Sequence, residues 1–298
     1  MNIDNACVEC IINQSRRVTE AIRADSVLSK RIVDRVEALG ETFDFSKSPP
    51  EVASDVYEQM AEIAGMDDLY EELKAHATGK AKTFIPQLHQ ELENSSDKLL
   101  TAIKIAVAGN VIDLAAEVTF DLNEEMEKIF ETNFAYDNMD QLENALQKAS
   151  TLLYIGDNVG EHIFDHLCIE TLQELYPKLE ISYMVRGNPI INDVTMLEAK
   201  EAGFDRLCNL VDSGVNTPGF AYERANQESQ KLFDEADTQK RLHVIRISIN
   251  CSSFTRDSRK ELSLIGFEDE QKMKLLTDST QKMREKYGID TLKWGGEL

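Results

Sequence analysis

Thr151-Leu152-Leu153-Tyr154-Ile155-Gly156-Asp157-Asn158-Val159-Gly160-Glu161 is the stretch that decides the fold. Its first five residues suit a buried strand by length and composition, and a helical pattern follows from Ile163 to Leu175. Ile181 to Val185 repeats the strand pattern, with Val194 to Ala202 as its helix, stopped by Gly203. Arg206 to Val211 reads as a weaker third strand. Strand and helix alternating at this spacing imply parallel βαβ units with right-handed crossovers. The expectation is an α/β chain with a three-layer α/β/α, Rossmann-like domain and a mainly parallel sheet over residues 149–298.

The preceding residues, 1–148, read as an all-helical domain. Val8, Ile11, Ile12, Val18 and Ile22 form one apolar stripe at helical spacing, and Ile32, Val33, Val36 and Leu39 a second. Lys47-Ser48-Pro49-Pro50 is the clearest break, with a helix restarting at Glu51 and Val52 just after the prolines. Leu99 to Ala116 is the most apolar helical run, which marks it as central.

The chain has 298 residues, a formal net charge of -22 and a pI near 4.6. Such a charge repels nucleic acid and acidic membrane surfaces at most orientations. A small phosphate ester is still admissible where a divalent metal and a local cation reverse the field. No run approaches the roughly 18 to 20 apolar residues of a membrane span. The N-terminus lacks the basic and apolar regions of a secretory signal, and five cysteines do not form a disulfide framework. A reducing, cytoplasmic setting fits these features.

Four clusters place carboxylates and amides where an apolar segment stops: Gly109-Asn110-Val111-Ile112-Asp113, Gly156 to Glu161, Arg186-Gly187-Asn188 and Ile191-Asn192-Asp193. In an open parallel sheet, ligands bind outside the carboxyl ends of strands where crossovers leave to opposite faces. Asp157, Arg186 and Asp212 all fall at such ends. Hard oxygen donors with one cation suit Mg²⁺ or Mn²⁺ holding a phosphate. Each residue also has a local reading: Asn158 as a turn former, Asn192 or Asp193 as the N-cap of the next helix. Asn110 and Asp113, three apart, share a helix face and need polar partners within so apolar a run.

Leu153 to Glu161 with Phe164-Asp165 closely resembles the signature of the metal-dependent damage-control phosphatases, the acidic-residue-methyltransferase-like family. Val185-Arg186-Gly187, Pro189 to Thr195, Ala199 to Gly203, Gly109-Asn110 with Ile112-Asp113, and Pro218-Gly219 continue the resemblance in order. Cys7 and Cys10 look like the paired cysteines of its small prokaryotic branch. The resemblance implies a helical region ahead of an α/β/α domain, and hydrolysis of sugar phosphates or damaged phosphometabolites. It implies Asp157, Asn158 and Asp193 as ligands of a divalent metal such as Mn²⁺, Mg²⁺, Ni²⁺ or Co²⁺. A metal there polarises phosphorus and activates a bound water, although direct attack by Asp157 is an equally open route. Arg186 then holds the phosphate through paired donors, with Asp157, Asp193 and Arg186 the catalytic set. Asn188, Asn192, Asp212, Ser213 and Asn110 are candidates for the substrate side. Asn110, Asp113 and Glu161 are placed to orient the ligands.

The chain departs from the family after about Asp237. The family's Lys-Gly loop, which reaches the phosphate, has no counterpart between Thr238 and Leu298. Loss of that lysine removes a positive anchor, so one alternative is a metal- or phosphometabolite-binding protein without turnover; more remotely, the family's other name invites a Rossmann-like methyltransferase, although the glycine-rich loop expected of one is missing. Cys7-Val8-Glu9-Cys10 lacks two further zinc ligands nearby, and His162 and His166 read as a solvent-facing pair.

Overall fold

A computed structural model of the chain describes residues 3–109, 129–134, 138–219 and 221–236. Asn110, Asp113 and the 238–298 segment lie outside the described residues. Every described helix and strand lies in one compact unit, within Met1–Thr132 and Asn138–Cys251; Asn133 and Phe134 belong to a second.

The helical region opens with α1 (Asn5–Ala21) and α2 (Ser26–Gly40). Both start at an aspartate whose carboxylate accepts from unpaired first-turn N–H groups: Asp4 from Cys7 at 2.9 Å, Asp25 from Val27 and Leu28 at 2.9 and 2.8 Å. Helix α3 (Pro49–Ala64) takes both prolines into its first turn, where a missing N–H costs nothing, so it starts two residues before the expected restart. Glu51 closes a capping box by accepting from the Ser48 N–H at 2.9 Å, and Gly65 ends the helix at φ 67°. There follow α4 (Glu71–Lys82), α5 (Ile85–Asn94), α6 (Lys98–Gly109) and α7 (Met139–Lys148).

The α/β part runs β1 (Thr151–Ile155), α8 (Glu161–Leu175), β2 (Glu180–Val185), α9 (Met196–Ala202), α10 (Phe204–Leu207), β3 (Asn209–Asp212) and α11 (Gln227–Ala236). The fold is therefore α/β with an N-terminal helical region. The described strands pair in parallel in the order β1-β2-β3, with Leu153 opposite Ser182 and Val185 opposite Asp212.

Two expectations change. Strand order follows chain order among the described residues, so right-handed crossovers put both connections on one face and no reversal separates these strands. The carboxyl ends still share one edge. Arg206 lies in α10 and not in β3, because Phe204 stacks on Tyr183 with ring centroids 4.0 Å apart and pins an extra helical turn to the sheet.

Two apolar clusters hold the unit together. Ile11, Val18, Ile32, Val36, Val56 and Met60 join α1, α2 and α3, and Ile190 from the loop after β2 enters the same cluster. The second runs from Leu88, Leu99 and Ile105 of α5 and α6 through Phe164 and Ile169 of α8 to Tyr183 and Val185. It crosses residue 148, so the helical region and the sheet share a core. Among the described residues no helix is long and apolar enough to cross a membrane.

Ile105 is fully buried where α6 packs along α8. Ile105→Ala should destabilise the chain by about 2–5 kcal/mol in urea unfolding, through lost burial and the cavity left behind. A loss under about 1 kcal/mol would mean that α6 is not a core helix.

Candidate functional site

The site begins where β1 stops. A Cβ at Gly156 would overlap the Tyr183 hydroxyl, so only glycine lets the chain pass there. The Gly156 N–H still bonds Met184 O at 2.9 Å, after which Asp157 and Asn158 leave the sheet. Backbone bonds then lace 157–159 to 192–194: Val194 N–H to Asp157 O at 2.8 Å and Val159 N–H to Asn192 O at 2.7 Å. Asn158 and Asp193 face each other as an antiparallel bridge. Gly160, at φ 103°, turns the chain into α8, and Asn158 donates its side-chain amide to Glu161 at 3.0 Å. The end of α6 abuts this point, since a Cβ on Gly109 would lie 3.2 Å from Glu161 Cα.

Arg186 follows β2 and is 1 % exposed. Its Nε donates to Asp193 Oδ2 at 2.8 Å, Nη1 to Gly156 O at 3.1 Å, and Nη2 to Asp157 Oδ1 at 3.4 Å. One guanidinium thus ties together the ends of β1 and β2 and both carboxylates. Asp193 Oδ2 also accepts at 3.3 Å from the N–H of Gly219, which the resemblance includes with Pro218 but without a role. Burial pushes the Asp193 carboxyl up to about 6: Arg186 pulls it down, Asp157 pushes it further up, and desolvation prevails.

Between these residues the chain makes a tight loop. Ile191 sits at φ 47°, a left-handed conformation that costs a β-branched residue on the order of 1–3 kcal/mol. Burial of Ile190 among α1, α2 and α3 offsets that cost, and Asp193 N–H closes the turn on Ile190 O at 3.0 Å. Neither Asn192 nor Asp193 caps the following helix. Thr195 does, with Glu198 accepting its N–H at 2.9 Å, because Asp193 is engaged by Arg186. Glu198 meets the buried Lys74 of α4 at 3.2 Å, and Lys74 also pairs with Asp68 at 2.8 Å. One of three lysines in α4, Lys74 carries no sequence signal for such a role.

Asn188 is exposed at the start of the loop, and Asn192 contributes its backbone carbonyl to the lacing. Asp212 shapes the turn after β3, accepting from the Gly214 N–H at 2.7 Å. Ser213 is fully buried, with its N–H on Val185 O at 3.0 Å and its hydroxyl accepting from the Val215 N–H at 3.4 Å. The structure thus gathers Asp157, Asn158, Glu161, Arg186 and Asp193, and engages Asp212 and Ser213 in the next turn. His162 is buried instead of solvent-facing: Phe204 stacks over it, Nδ1 accepts from the Gly160 N–H, and burial lowers its pKa to about 4. Asp165, quoted above without a role, lies behind Gly156 and accepts from the Tyr154 and Tyr183 hydroxyls. Burial outweighs both hydrogen bonds and raises its pKa to about 7.

Asp157, Asn158 and Asp193 supply two carboxylates and an amide oxygen, a hard-oxygen set. Among the described residues no three His, Cys, Asp or Glu side chains are spaced for a metal ion, so the amide is needed as the third donor. Burial raises the Asp193 carboxyl, with a smaller upward push from Asp157, and a divalent cation placed there would favour its ionised form. The donor set fits such an ion.

Residues 3–238 match the family model of the Damage-control phosphatase ARMT1-like domain. The chain belongs to that family. It is 28 % identical over 239 residues to the damage-control phosphatase PH1575 of Pyrococcus horikoshii, covering 80 % of this chain and 82 % of that one. A damage-control phosphatase of Archaeoglobus fulgidus is 25 % identical over 243 residues, covering 80 % and 83 %. An uncharacterised protein of Methanocaldococcus jannaschii, MJ0202, is 29 % identical over 244 residues, covering 80 % and 79 %. The crystal structure of the P. horikoshii protein, described as a DUF89 family member, superposes with a TM-score of 0.70 at 27 % identity, covering 78 % of this chain and 81 % of that one. Every residue of the site falls within the family match, and residues 239–298 fall outside it.

Asp165 gives a pH signature. A carboxyl with a raised folded-state pKa contributes stability below its unfolded value of 3.8, and that contribution is lost as pH rises toward about 7. Asp165→Asn cannot ionise, so its Tm relative to the wild type should rise between about pH 4 and pH 7 and level off above that. A difference that stays flat or falls would place Asp165 in solvent.

Proposed function

We propose that the chain is a divalent-metal-dependent phosphomonoester hydrolase acting on small esters such as sugar phosphates or damaged phosphometabolites. Family membership supports a phosphatase. The observation that carries the metal-dependent reading is the buried Arg186 held between Asp157 and Asp193 at the carboxyl ends of β1 and β2.

Asp157, Asn158 and Asp193 are the residues that would hold Mn²⁺, Mg²⁺, Ni²⁺ or Co²⁺. Such an ion, when bound, supplies Lewis acidity toward a phosphoryl oxygen and lowers the pKa of water. Arg186 sets the orientation of both carboxylates and brings positive charge to the phosphate in an otherwise acidic molecule. Three of its five N–H groups are engaged by Asp193, Gly156 and Asp157, which makes it first of all the part that fixes the geometry. Glu161 orients Asn158 through its side-chain amide. Asn188, Asn192 and Asp212 are the candidates for contacts with the ester, and Ser213, fully buried, would support that turn from behind; Asn110 and Asp113 lie outside the described residues.

A second reading has its own support: the family match ends at residue 238, and no Lys-Gly pair follows it. On that reading the same residues bind metal and phosphometabolite without turnover. Phosphate release from p-nitrophenyl phosphate and a panel of sugar phosphates, with each metal in turn, separates the two. The phosphatase reading expects metal-dependent turnover that EDTA removes, and a loss on the order of 100-fold or more in Asp157→Ala and Asp193→Ala. Calorimetric metal binding with no turnover under any metal would establish the binding protein instead.

A further inference from the structure

Behind Gly156 lies a polar cluster that takes no part in holding metal or phosphate. Tyr154 of β1 and Tyr183 of β2 stand opposite each other in the sheet register, with ring centroids 5.6 Å apart. Both phenols donate to one carboxylate, Asp165 of α8: Tyr154 to Oδ1, and Tyr183 to Oδ2 at 3.0 Å. Asp165 and Tyr183 are buried.

Each member of this tripod sits a short step from a residue of the site. Asp157 follows Tyr154 by three residues, Arg186 follows Tyr183 by three, and Glu161 precedes Asp165 by one turn on the same face of α8. The tripod therefore joins β1, β2 and α8 one level behind the point where each of them delivers a side chain. Charge links the two levels as well. Asp157 pushes the Asp165 carboxyl up, and the Tyr183 phenol senses both Glu161 and Arg186.

One contact carries this order forward to Asp157. A Cβ on Gly156 would stand 2.4 Å from the Tyr183 oxygen, so that phenol is the floor over which the chain passes from β1 to Asp157. Phe204 stacks on the same ring at an interplanar angle of 15°, and Asp165 holds its far end. Packing alone does not account for the arrangement. Apolar side chains of similar volume would fill the space with no carboxylate to desolvate, and replacing buried polar groups in that way is often neutral or stabilising. A buried network whose members are all satisfied gives a single fixed geometry in return. Here that geometry falls directly behind Asp157.

We propose that Asp165, with Tyr154 and Tyr183, is a positioning residue for the metal site: the tripod sets where Asp157 leaves β1 and so brings its carboxylate to the Arg186 guanidinium. The proposal rests on the metal-site reading and adds no ligand to it.

The test uses the full chain. Asp165→Asn keeps the shape of the side chain and removes its charge, while Tyr183→Phe keeps both the ring and the charge and removes one bond. A weakened site in Tyr183→Phe therefore reports position. Calorimetry with Mn²⁺, well below each Tm, is expected to show Kd raised about 10-fold or more in both variants. Tyr154→Phe should have a smaller effect, because the phenol behind Gly156 belongs to Tyr183. Leu88→Ala, at a fully buried position of α5, is the control: it should lower Tm and leave Kd unchanged. Tyr183→Phe decides alone if Asp165→Asn fails to fold. An unchanged Kd in Tyr183→Phe, with Tm lowered as in the control, would reduce the tripod to core packing and overturn the proposal. If the wild-type chain binds no Mn²⁺, the metal-site reading fails and crystals of Tyr183→Phe decide this one. Asp157 displaced from Arg186 Nη2, 3.4 Å away in the wild type, would sustain it, and Asp157 unmoved would overturn it.

Discussion

The buried guanidinium of Arg186 is the constraint on which the site depends. It takes Asp193, Asp157 and the Gly156 carbonyl in one plane-directed set of donors, and thereby joins the ends of two parallel strands. Breaking a buried pair of this kind leaves charge without a partner and costs about 3–5 kcal/mol. Burial raises the Asp193 carboxyl, Arg186 draws it back down, and Asp157 adds a smaller upward push. A buried carboxylate brought beside a second one is the feature on which the proposed metal site rests.

The helical region does more than precede the sheet. Ile190 anchors the loop between Arg186 and Asp193 in the cluster formed by α1, α2 and α3, which is what holds Ile191 in its left-handed conformation. Lys74 of α4 fixes Glu198, Glu198 fixes Thr195, and Thr195 pairs in parallel with Arg186. Two independent routes therefore run from the helices to the same strand end. The apolar route sets position, and the charged route sets the register of the helix that follows.

Much of this was legible in the sequence, for reasons that differ by residue. The strand ending at Ile155 and the glycine, aspartate and asparagine after it read correctly because composition, turn chemistry and resemblance all agreed. Local capping rules favour Asn192 or Asp193 over Thr195, because they do not register the buried arginine 7 positions earlier that engages the Asp193 carboxylate. The pattern around Arg206 reads as a strand because the stacking of Phe204 on Tyr183 is a tertiary contact. Phe204 also stacks over His162, a contact that its spacing from His166 does not carry. Nothing in the sequence pattern ties Ile190 to α1, α2 and α3, since the cluster it enters lies over a hundred residues away in the chain.

The central claim is that Arg186 arranges Asp157, Asn158 and Asp193 as one divalent-metal site. Crystals of the chain grown with Mn²⁺, measured at a wavelength where manganese scatters anomalously, test it most directly. The account predicts an anomalous peak bounded by the side-chain oxygens of those three residues, with Arg186 still bonded to Asp193. Bound manganese elsewhere in the molecule and none between these residues would contradict it.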